Sequence, residues 1–258
     1  MQTGLVSITF RQLKPREIVP LVQQAGLQCI EWGGDIHVPV GDIHAAHDVA
    51  KLTADAGLTI VAYGSYYRTG YSLPGEPSFE TIIETAVALG APCIRVWPGR
   101  VSSETATPSD WKAIINDSLR CARLAEAAGL CIAYEYHSGT LTDTVDSTRR
   151  LLEATVHPAI YTLWQPPYDQ TKEHCLESLR AVIQTERLHH VHAFHWWPDS
   201  ANRLSLADGA DRWQAYIAEI KKAANSPAVL LEFLPNNDPH LLTREAAILN
   251  EWAAKIGG

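Results

Sequence analysis

Residues 130–137 read Leu-Cys-Ile-Ala-Tyr-Glu-Tyr-His, an apolar run that ends in a carboxylate and an imidazole. β-Branched and aromatic residues in such a run predict a buried strand. Side chains two residues apart on a strand share a face, so Glu135 and His137 are expected to point the same way. Three later apolar runs, residues 160–165, 191–195 and 229–232, also end in side chains that can bind a metal. The four strand ends predict one site assembled from distant parts of the chain.

The pattern Ala-Gly-Leu occurs three times, at residues 25–27, 56–58 and 128–130, each time after a predicted helix. Glycine adopts the left-handed conformation that closes a helix, and the leucine then enters the next strand. Apolar runs, three of them after this pattern, predict eight strands, at residues 5–10, 27–32, 58–63, 93–97, 130–137, 160–164, 190–194 and 229–233. A helix follows each strand, the last at about residues 243–256.

Eight alternating strand and helix units predict an α/β protein, a closed (β/α)₈ TIM barrel that forms one domain over residues 1–258. A doubly wound open sheet is the alternative. The first strand is followed by neither a glycine-rich dinucleotide motif nor a P-loop, so nucleotide binding is not indicated.

The composition narrows the class of protein. A net charge of −8 over 258 residues disfavours nucleic acid as a partner, since phosphate binding requires a basic face. No segment approaches the roughly 18 uncharged apolar residues of a membrane span, and the N-terminus lacks the features of a signal peptide. Five cysteines without a C-x-x-C pair are interpreted as buried apolar residues in a reducing, cytoplasmic setting.

Functional residues of such barrels lie at the carboxyl ends of the strands. That rule selects five residues: Glu135, His137, Gln165, His192 and Glu232. Carboxylates, an imidazole and an amide oxygen, without a thiolate, suit Mn²⁺, Mg²⁺ or Co²⁺ better than a closed structural zinc site. Taken singly, each residue has a structural interpretation, such as a hydrogen-bonded core histidine. Four such residues at neighbouring strand ends together favour a metal site.

Aromatic and basic residues near the strand ends predict the walls of a sugar-binding pocket. Trp97, Tyr168 and Trp197 are expected to pack on the C–H faces of a sugar. Arg95 and Arg203 are expected to bind a phosphate or carboxylate. Because no glycine-rich phosphate loop is evident, an unphosphorylated sugar is favoured. The structural alternative is that the aromatic rings close the top of the barrel.

The whole chain resembles the xylose isomerase-like barrels of the sugar phosphate isomerase/epimerase group, which includes ketose 3-epimerases, inosose dehydratases and hydroxypyruvate isomerases. The resemblance rests on four motifs: Glu135-Tyr-His137, His190-Val-His192, Leu231-Glu232, and residues 203–213, similar to the loop Arg-x-x-Pro-x-Gly-x-Gly-x-x-Asp-Trp. It implies that Glu135, His192 and Glu232 bind a metal and that the two glutamates flank the substrate carbon that exchanges a proton.

Two departures from the family pattern bear on the substrate. Where the family has Asp-x-x-His, this chain has Gln165-Pro-Pro-Tyr168, and where it has Lys-Asp, the chain has Phe194-His195. Glutamine removes one negative charge from the ligand set, so the metal is expected to bind less tightly through Gln165. Tyr168 retains a hydrogen-bond donor but cannot carry a positive charge.

The sequence therefore predicts a metal-dependent isomerase or epimerase of a small sugar or polyol, working by proton transfer through an enediolate. Manganese is the first expectation, with Mg, Co, Ni or Zn as alternatives. Glu135 and Glu232 are the expected proton carriers, and His137 is expected to orient the substrate. A lyase or dehydratase using the same residues, and a non-catalytic carbohydrate-binding protein, are the alternatives. An endonuclease would need more zinc ligands and a basic groove. Self-association is left open.

Overall fold

In the computed structural model, which describes residues 1–71 and 73–255, eight parallel strands form a closed barrel, so the predicted architecture is confirmed. The described strands are β1 (Thr3–Val6), β2 (Cys29–Gly33), β3 (Thr59–Thr69), β4 (Cys93–Pro98), β5 (Cys131–Tyr134), β6 (Ile160–Trp164), β7 (Leu188–Ala193), β8 (His195–Trp196), β9 (Arg203–Leu204) and β10 (Ala228–Leu231). Around the barrel the order is β1-β10-β7-β6-β5-β4-β3-β2, while β8 and β9 form a separate antiparallel pair.

The helices that follow the barrel strands are α1 (Pro15–Gln24), α2 (Ile43–Asp55), α3 (Phe79–Leu89), α4 (Pro108–Ala127), α5 (Val145–Ala154), α6 (Lys172–Gln184), α7 (Ala210–Ile220) and α8 (Leu242–Ala254). Gly26, Gly57 and Gly129 have φ between 69° and 73°, as predicted for glycines that follow a helix and lead into a strand. The predicted last helix included residue 256, which lies outside the described residues. Within the described part of the chain, each helix is too short or too polar to cross a lipid bilayer.

The first and fifth strands are shorter than predicted. Residues 7–10 form a 3₁₀ helix, and the Ser7 hydroxyl at its start accepts a hydrogen bond from the Gly33 N–H at 2.9 Å. β5 ends at Tyr134, so Glu135 and His137 lie in the loop that follows it. The prediction that they share one strand face is wrong: Glu135 is buried and His137 is half-buried.

The main apolar core lies between the barrel and its helices and includes the buried rings of Trp32, Trp164 and Trp213. Inside the barrel, two small clusters, around Leu230 and around Cys93, leave space for buried charged side chains. Such groups are tolerated in an interior only when they are paired or bind a ligand. The buried charged side chains therefore indicate that the barrel interior holds ion pairs or a ligand-binding site.

Candidate active site

Four of the predicted site residues form an arc at the carboxyl end of the barrel. Glu135, Gln165, His192 and Glu232 come from β5, β6, β7 and β10 or directly follow them, and these strands are consecutive neighbours in the barrel. All four are at most 4% exposed. Nδ1 of His192 lies 3.3 Å from Oε2 of Glu232. The strand order places the two glutamates at the ends of the arc, with the histidine and the amide between them.

A buried arginine links this arc to the opposite side of the barrel. Arg95 donates from Nε to Oε1 of Glu31 at 2.7 Å and from Nη1 to Oε2 of Glu135. The Trp97 indole N–H donates to the same Glu135 oxygen at 2.5 Å. Burial raises the pKa of Glu135, but Arg95 outweighs it and holds that pKa below its ordinary value. A Cβ at Gly64 would lie 2.5 Å from Arg95 Nη2, so the ion pair requires glycine there.

Three histidines and one glutamate form a series of short polar contacts in the barrel interior. Nδ1 of His189 lies 2.8 Å from Nδ1 of His190, whose Nε2 lies 2.8 Å from Oε2 of Glu31. Nε2 of His192 lies 3.0 Å from the same oxygen. Burial lowers the pKa of His190 to about 4, so its ring is neutral and donates from Nε2 to Glu31. Its Nδ1 then accepts from His189. This series of hydrogen bonds therefore determines which ring nitrogen of His190 carries the hydrogen.

The arc offers atoms of the types that bind a divalent cation, and beside it Glu31, His190 and His192 have possible ligand atoms within 4.8 Å of one another. Among residues 1–71 and 73–255, the buried Gln165 Oε1 accepts no hydrogen bond, and the buried His192 Nδ1 has only the Glu232 carboxylate beside it, at 3.3 Å. Burial alone lowers the pKa of His192, but Glu232 and Glu31 outweigh it and raise that pKa to about 10. The carboxylates therefore attract positive charge to Nδ1, as a proton or as a metal ion that displaces it.

Six rings, which we call the aromatic collar, surround the mouth above the arc. Consecutive centroids lie 5.0–6.2 Å apart in the order Tyr66, Trp97, His137, Tyr168, Trp196 and Phe233. The guanidinium of Arg68 lies 4.1 Å from the Trp97 ring, and that of Arg203 lies 4.6 Å from the Phe233 ring. Apolar ring faces with cationic edges suit the C–H and hydroxyl faces of a sugar.

Two collar residues have a strained backbone. Tyr66 has φ 59°, and Phe233, directly after Glu232, has φ 52°. The left-handed region is uncommon for aromatic residues, and holding one there costs about 1–3 kcal/mol. The Phe233 N–H donates to the Thr9 hydroxyl at 3.1 Å, which helps to hold that conformation. Strain of this kind often marks functional sites, and Phe233 of the collar directly follows Glu232 of the arc.

The predicted substrate-binding residues have different positions. Trp97, Tyr168 and Arg203 lie in or against the collar, together with His137, whose Nδ1 is 2.7 Å from the Ser138 carbonyl oxygen. Trp197 is 42% exposed and packs against Arg212 of α7 at 4.2 Å, and it lines a hollow beside Tyr168 and Trp196, so its role in substrate binding stays a prediction. β8 ends at the residue before it, and its ring turns towards the helical layer.

Arg95 has a further contact that the sequence did not predict. Its guanidinium pairs with Glu31 and Glu135, while its buried Nη2 has no hydrogen-bond partner among the described residues, so substrate binding by Arg95 stays a prediction. Sequence reasoning missed Glu31 as a site residue, although a carboxylate in the apolar run of β2 was an available signal. It also missed His190 as the partner of Glu31.

Comparisons with known proteins agree with this architecture. The family described as the xylose isomerase-like TIM barrel matches residues 19–252. No curated protein is significantly similar in sequence. The structure of a probable 3-DHS dehydratase, AsbF, from Bacillus anthracis is 18% identical with a TM-score of 0.80, covering 97% of this chain and 99% of that one.

Two further solved structures are similar over nearly their whole length. An IolI protein with a bound zinc atom is 16% identical with a TM-score of 0.79, covering 100% of both chains. A D-psicose 3-epimerase with D-tagatose from Clostridium cellulolyticum H10 is 15% identical with a TM-score of 0.74, covering 98% of both chains. At these identities the likeness concerns the fold alone.

Proposed function

The chain belongs to the xylose isomerase-like TIM barrel family, and we propose that it is a divalent-metal-dependent isomerase or epimerase of a sugar or keto-polyol. The observation that carries this proposal is the arc with a glutamate at each end and two buried polar atoms, Gln165 Oε1 and His192 Nδ1, between them. Similar solved structures include a D-psicose 3-epimerase and a zinc-binding protein. They agree with the proposed reaction class.

Glu135, Gln165, His192 and Glu232 are the residues that would hold the metal. When bound, the ion supplies Lewis-acid chemistry: it polarises a substrate carbonyl and stabilises the negative charge of an enediolate. A set of two carboxylates, one imidazole and one amide oxygen, without sulfur, suits Mn²⁺, and Mg²⁺, Co²⁺, Ni²⁺ or Zn²⁺ are the alternatives.

The protein's own groups carry and position the proton. Arg95 and Trp97 keep Glu135 ionised and fix one of its oxygens, so the other can face the substrate. Glu232 lies at the other end of the arc. One carboxylate removes the proton from the carbon next to the carbonyl. If a proton is then added to the neighbouring carbon, the product is an isomer. If it is added to the opposite face of the original carbon, the product is an epimer.

The collar would bind and shield the substrate. Its rings pack on the C–H faces, while the hydroxyl of Tyr168 and the half-buried His137 can contact substrate oxygens. Covering the mouth excludes water, which strengthens the electrostatic interactions below it and protects an enediolate from side reactions. His137 therefore orients the substrate, while the glutamates move the proton.

The proposal is tested by incubating the purified protein with a panel of ketoses and keto-polyols in deuterated water with Mn²⁺. We expect deuterium to enter the substrate next to its carbonyl, and this exchange to stop when a chelator removes the metal. If the substrate instead loses water, the protein is a lyase, a reaction class represented by the dehydratase of similar fold. If neither exchange nor elimination occurs with any member of the panel, the protein is a non-catalytic carbohydrate-binding protein.

Gln165→Asp is expected to tighten metal binding, because it adds one negative charge to the ligand set. Gln165 is 2% exposed, and within the described residues its Oε1 has no hydrogen-bond partner, so a metal ligand is its natural role. A gain of about tenfold in affinity corresponds to about 1.4 kcal/mol. The measurement is a Mn²⁺ titration of both proteins. Gln184→Asp, at the end of α6, is the control, and equal affinity of all three proteins would place Gln165 outside the ligand set.

A further inference from the structure

The opposite, N-terminal mouth of the barrel holds a second group of metal-binding side chains. Cys93 begins β4, Cys131 begins β5, and His189 is the second residue of β7. The two cysteines are direct register partners on neighbouring parallel strands. Their sulfurs and one ring nitrogen of His189 all lie within 4.8 Å of one another. We call these three residues the thiol cluster.

A β-bulge explains how His189 reaches the cysteines. Between the register pairs Thr162–Leu188 and Trp164–Val191, β7 advances three residues while β6 advances two. The extra residue breaks the strict alternation of faces, so His189 and His190 can both approach the interior. Without the bulge, the period of two would direct neighbouring histidines to opposite faces of the sheet.

The contacts of His189 leave one ring nitrogen for a metal. Its Nδ1 lies 2.8 Å from Nδ1 of His190, so Nε2 stands outside that contact. The two sulfurs and a ring nitrogen of His189 lie close enough together to reach one ion. Thiolate, not thiol, is the form that binds metals.

The cluster also has a route to solvent. Cys131 and His189 are half-buried, while Cys93 is fully buried behind them. A surface hollow at this mouth is lined by both half-buried residues together with Tyr161 and Asn225. An ion entering the hollow would meet the imidazole and one sulfur first and reach the second sulfur behind them. The hollow also leaves room for water as a fourth ligand.

We propose that Cys93, Cys131 and His189 bind a thiophilic divalent cation of the Zn²⁺ type, with water in the fourth position. Two thiolates and one imidazole are a common zinc ligand set, and soft sulfur ligands select Zn²⁺ over Mn²⁺ or Mg²⁺. Cys131 begins β5 and Glu135 directly follows that strand, four residues later, which separates the cluster from the arc by roughly 13 Å. The two sites therefore share no ligand.

Cobalt titration of the reduced, metal-free whole protein tests this inference. Only sulfur ligation gives a thiolate-to-cobalt charge-transfer band in the near ultraviolet, and the arc contains no sulfur. We expect the final band to correspond to one sulfur-bound cobalt per chain, reached at one equivalent if the arc stays empty and at up to two if the arc also binds cobalt. Absence of the band at saturating Co²⁺ would overturn the proposal and leave the proposed enzymatic function untouched.

Two variants and one direct measurement complete the test. Cys131→Ser should lose the band and weaken Zn²⁺ binding at the cluster by at least about 100-fold, since loss of even an outer-shell partner costs about 10–100-fold. Cys121 is a buried cysteine of α4 outside the cluster, so Cys121→Ser should keep the band. Loss of the band in this variant would contradict the assignment. In the wild-type protein, Zn²⁺ should slow alkylation of Cys131 at least tenfold, a shift of roughly 1.4 kcal/mol. An unchanged alkylation rate would refute the site even if Cys131→Ser fails to fold.

Discussion

Replacing Glu135 or Glu232 by glutamine is expected to slow substrate proton exchange by about 10²–10⁴-fold, the usual contribution of a general base. Glutamine keeps the size of the side chain and one amide oxygen but cannot accept the proton. Both residues are at most 4% exposed and lie at opposite ends of the arc, so neither can replace the other at its face of the substrate. Deuterium incorporation is measured at saturating Mn²⁺, so that weaker metal binding does not account for the loss.

His137→Ala is the matched comparison, because His137 follows the same strand as Glu135 but lies in the collar. Its Nδ1 faces the Ser138 carbonyl oxygen at 2.7 Å, which leaves Nε2 to contact the substrate. We expect this variant to raise KM more than it lowers kcat. If His137→Ala retains its metal and is as slow as the glutamate variants, then His137 carries the proton and the assignment to the glutamates fails.

The barrel was predictable because its signals are local. Glycine at positions 26, 57 and 129 follows a helix through its left-handed conformation, and the apolar runs after them can only be buried strands. Parallel strands bring their carboxyl ends to one edge, so Glu135, Gln165, His192 and Glu232 could be grouped before any contact was known. The grouping needs only the count and direction of the strands.

The contacts across the barrel were not predictable from local patterns. Glu31 of β2 meets His190 and His192 of β7 at 2.8 and 3.0 Å, although about 160 residues separate them in sequence. Their meeting depends on barrel closure and on the bulge in β7, and no periodicity reports either. For the same reason, local patterns could not predict that the charge of Arg95 is compensated by both Glu31 and Glu135.

The polar interior makes the stability of this barrel depend on its charge pairs. A TIM barrel normally fills its centre with layers of branched apolar side chains. Here Glu31, Arg95 and Glu135 occupy that space with 0–4% of their surfaces exposed. Ions in such a position are costly unless every partner is present. Arg95 is the member that contacts both carboxylates, so its removal has the largest predicted effect on folding.

Arg95→Met is expected to lower the free energy of unfolding by about 3–5 kcal/mol, because it leaves Glu31 and Glu135 as buried carboxylates without their shared cation. Methionine keeps much of the volume, so the loss reports charge more than packing. The measurement is urea unfolding of the variant and of Arg180→Met, which removes an arginine from an ion pair with Glu219 near the surface and should cost far less.

The double variant Arg95→Met/Glu31→Gln separates charge pairing from simple loss of the arginine. Glutamine at position 31 removes one of the two uncompensated charges and can still accept hydrogen bonds from His190 and His192. The double variant should therefore be more stable than the sum of the single effects predicts, by a coupling free energy of about 0.5–3 kcal/mol. Strictly additive effects, or an Arg95→Met cost no larger than that of Arg180→Met, would mean that Arg95 does not hold the carboxylates in place. The proposed positioning of Glu135 would then have to rest on Trp97 alone.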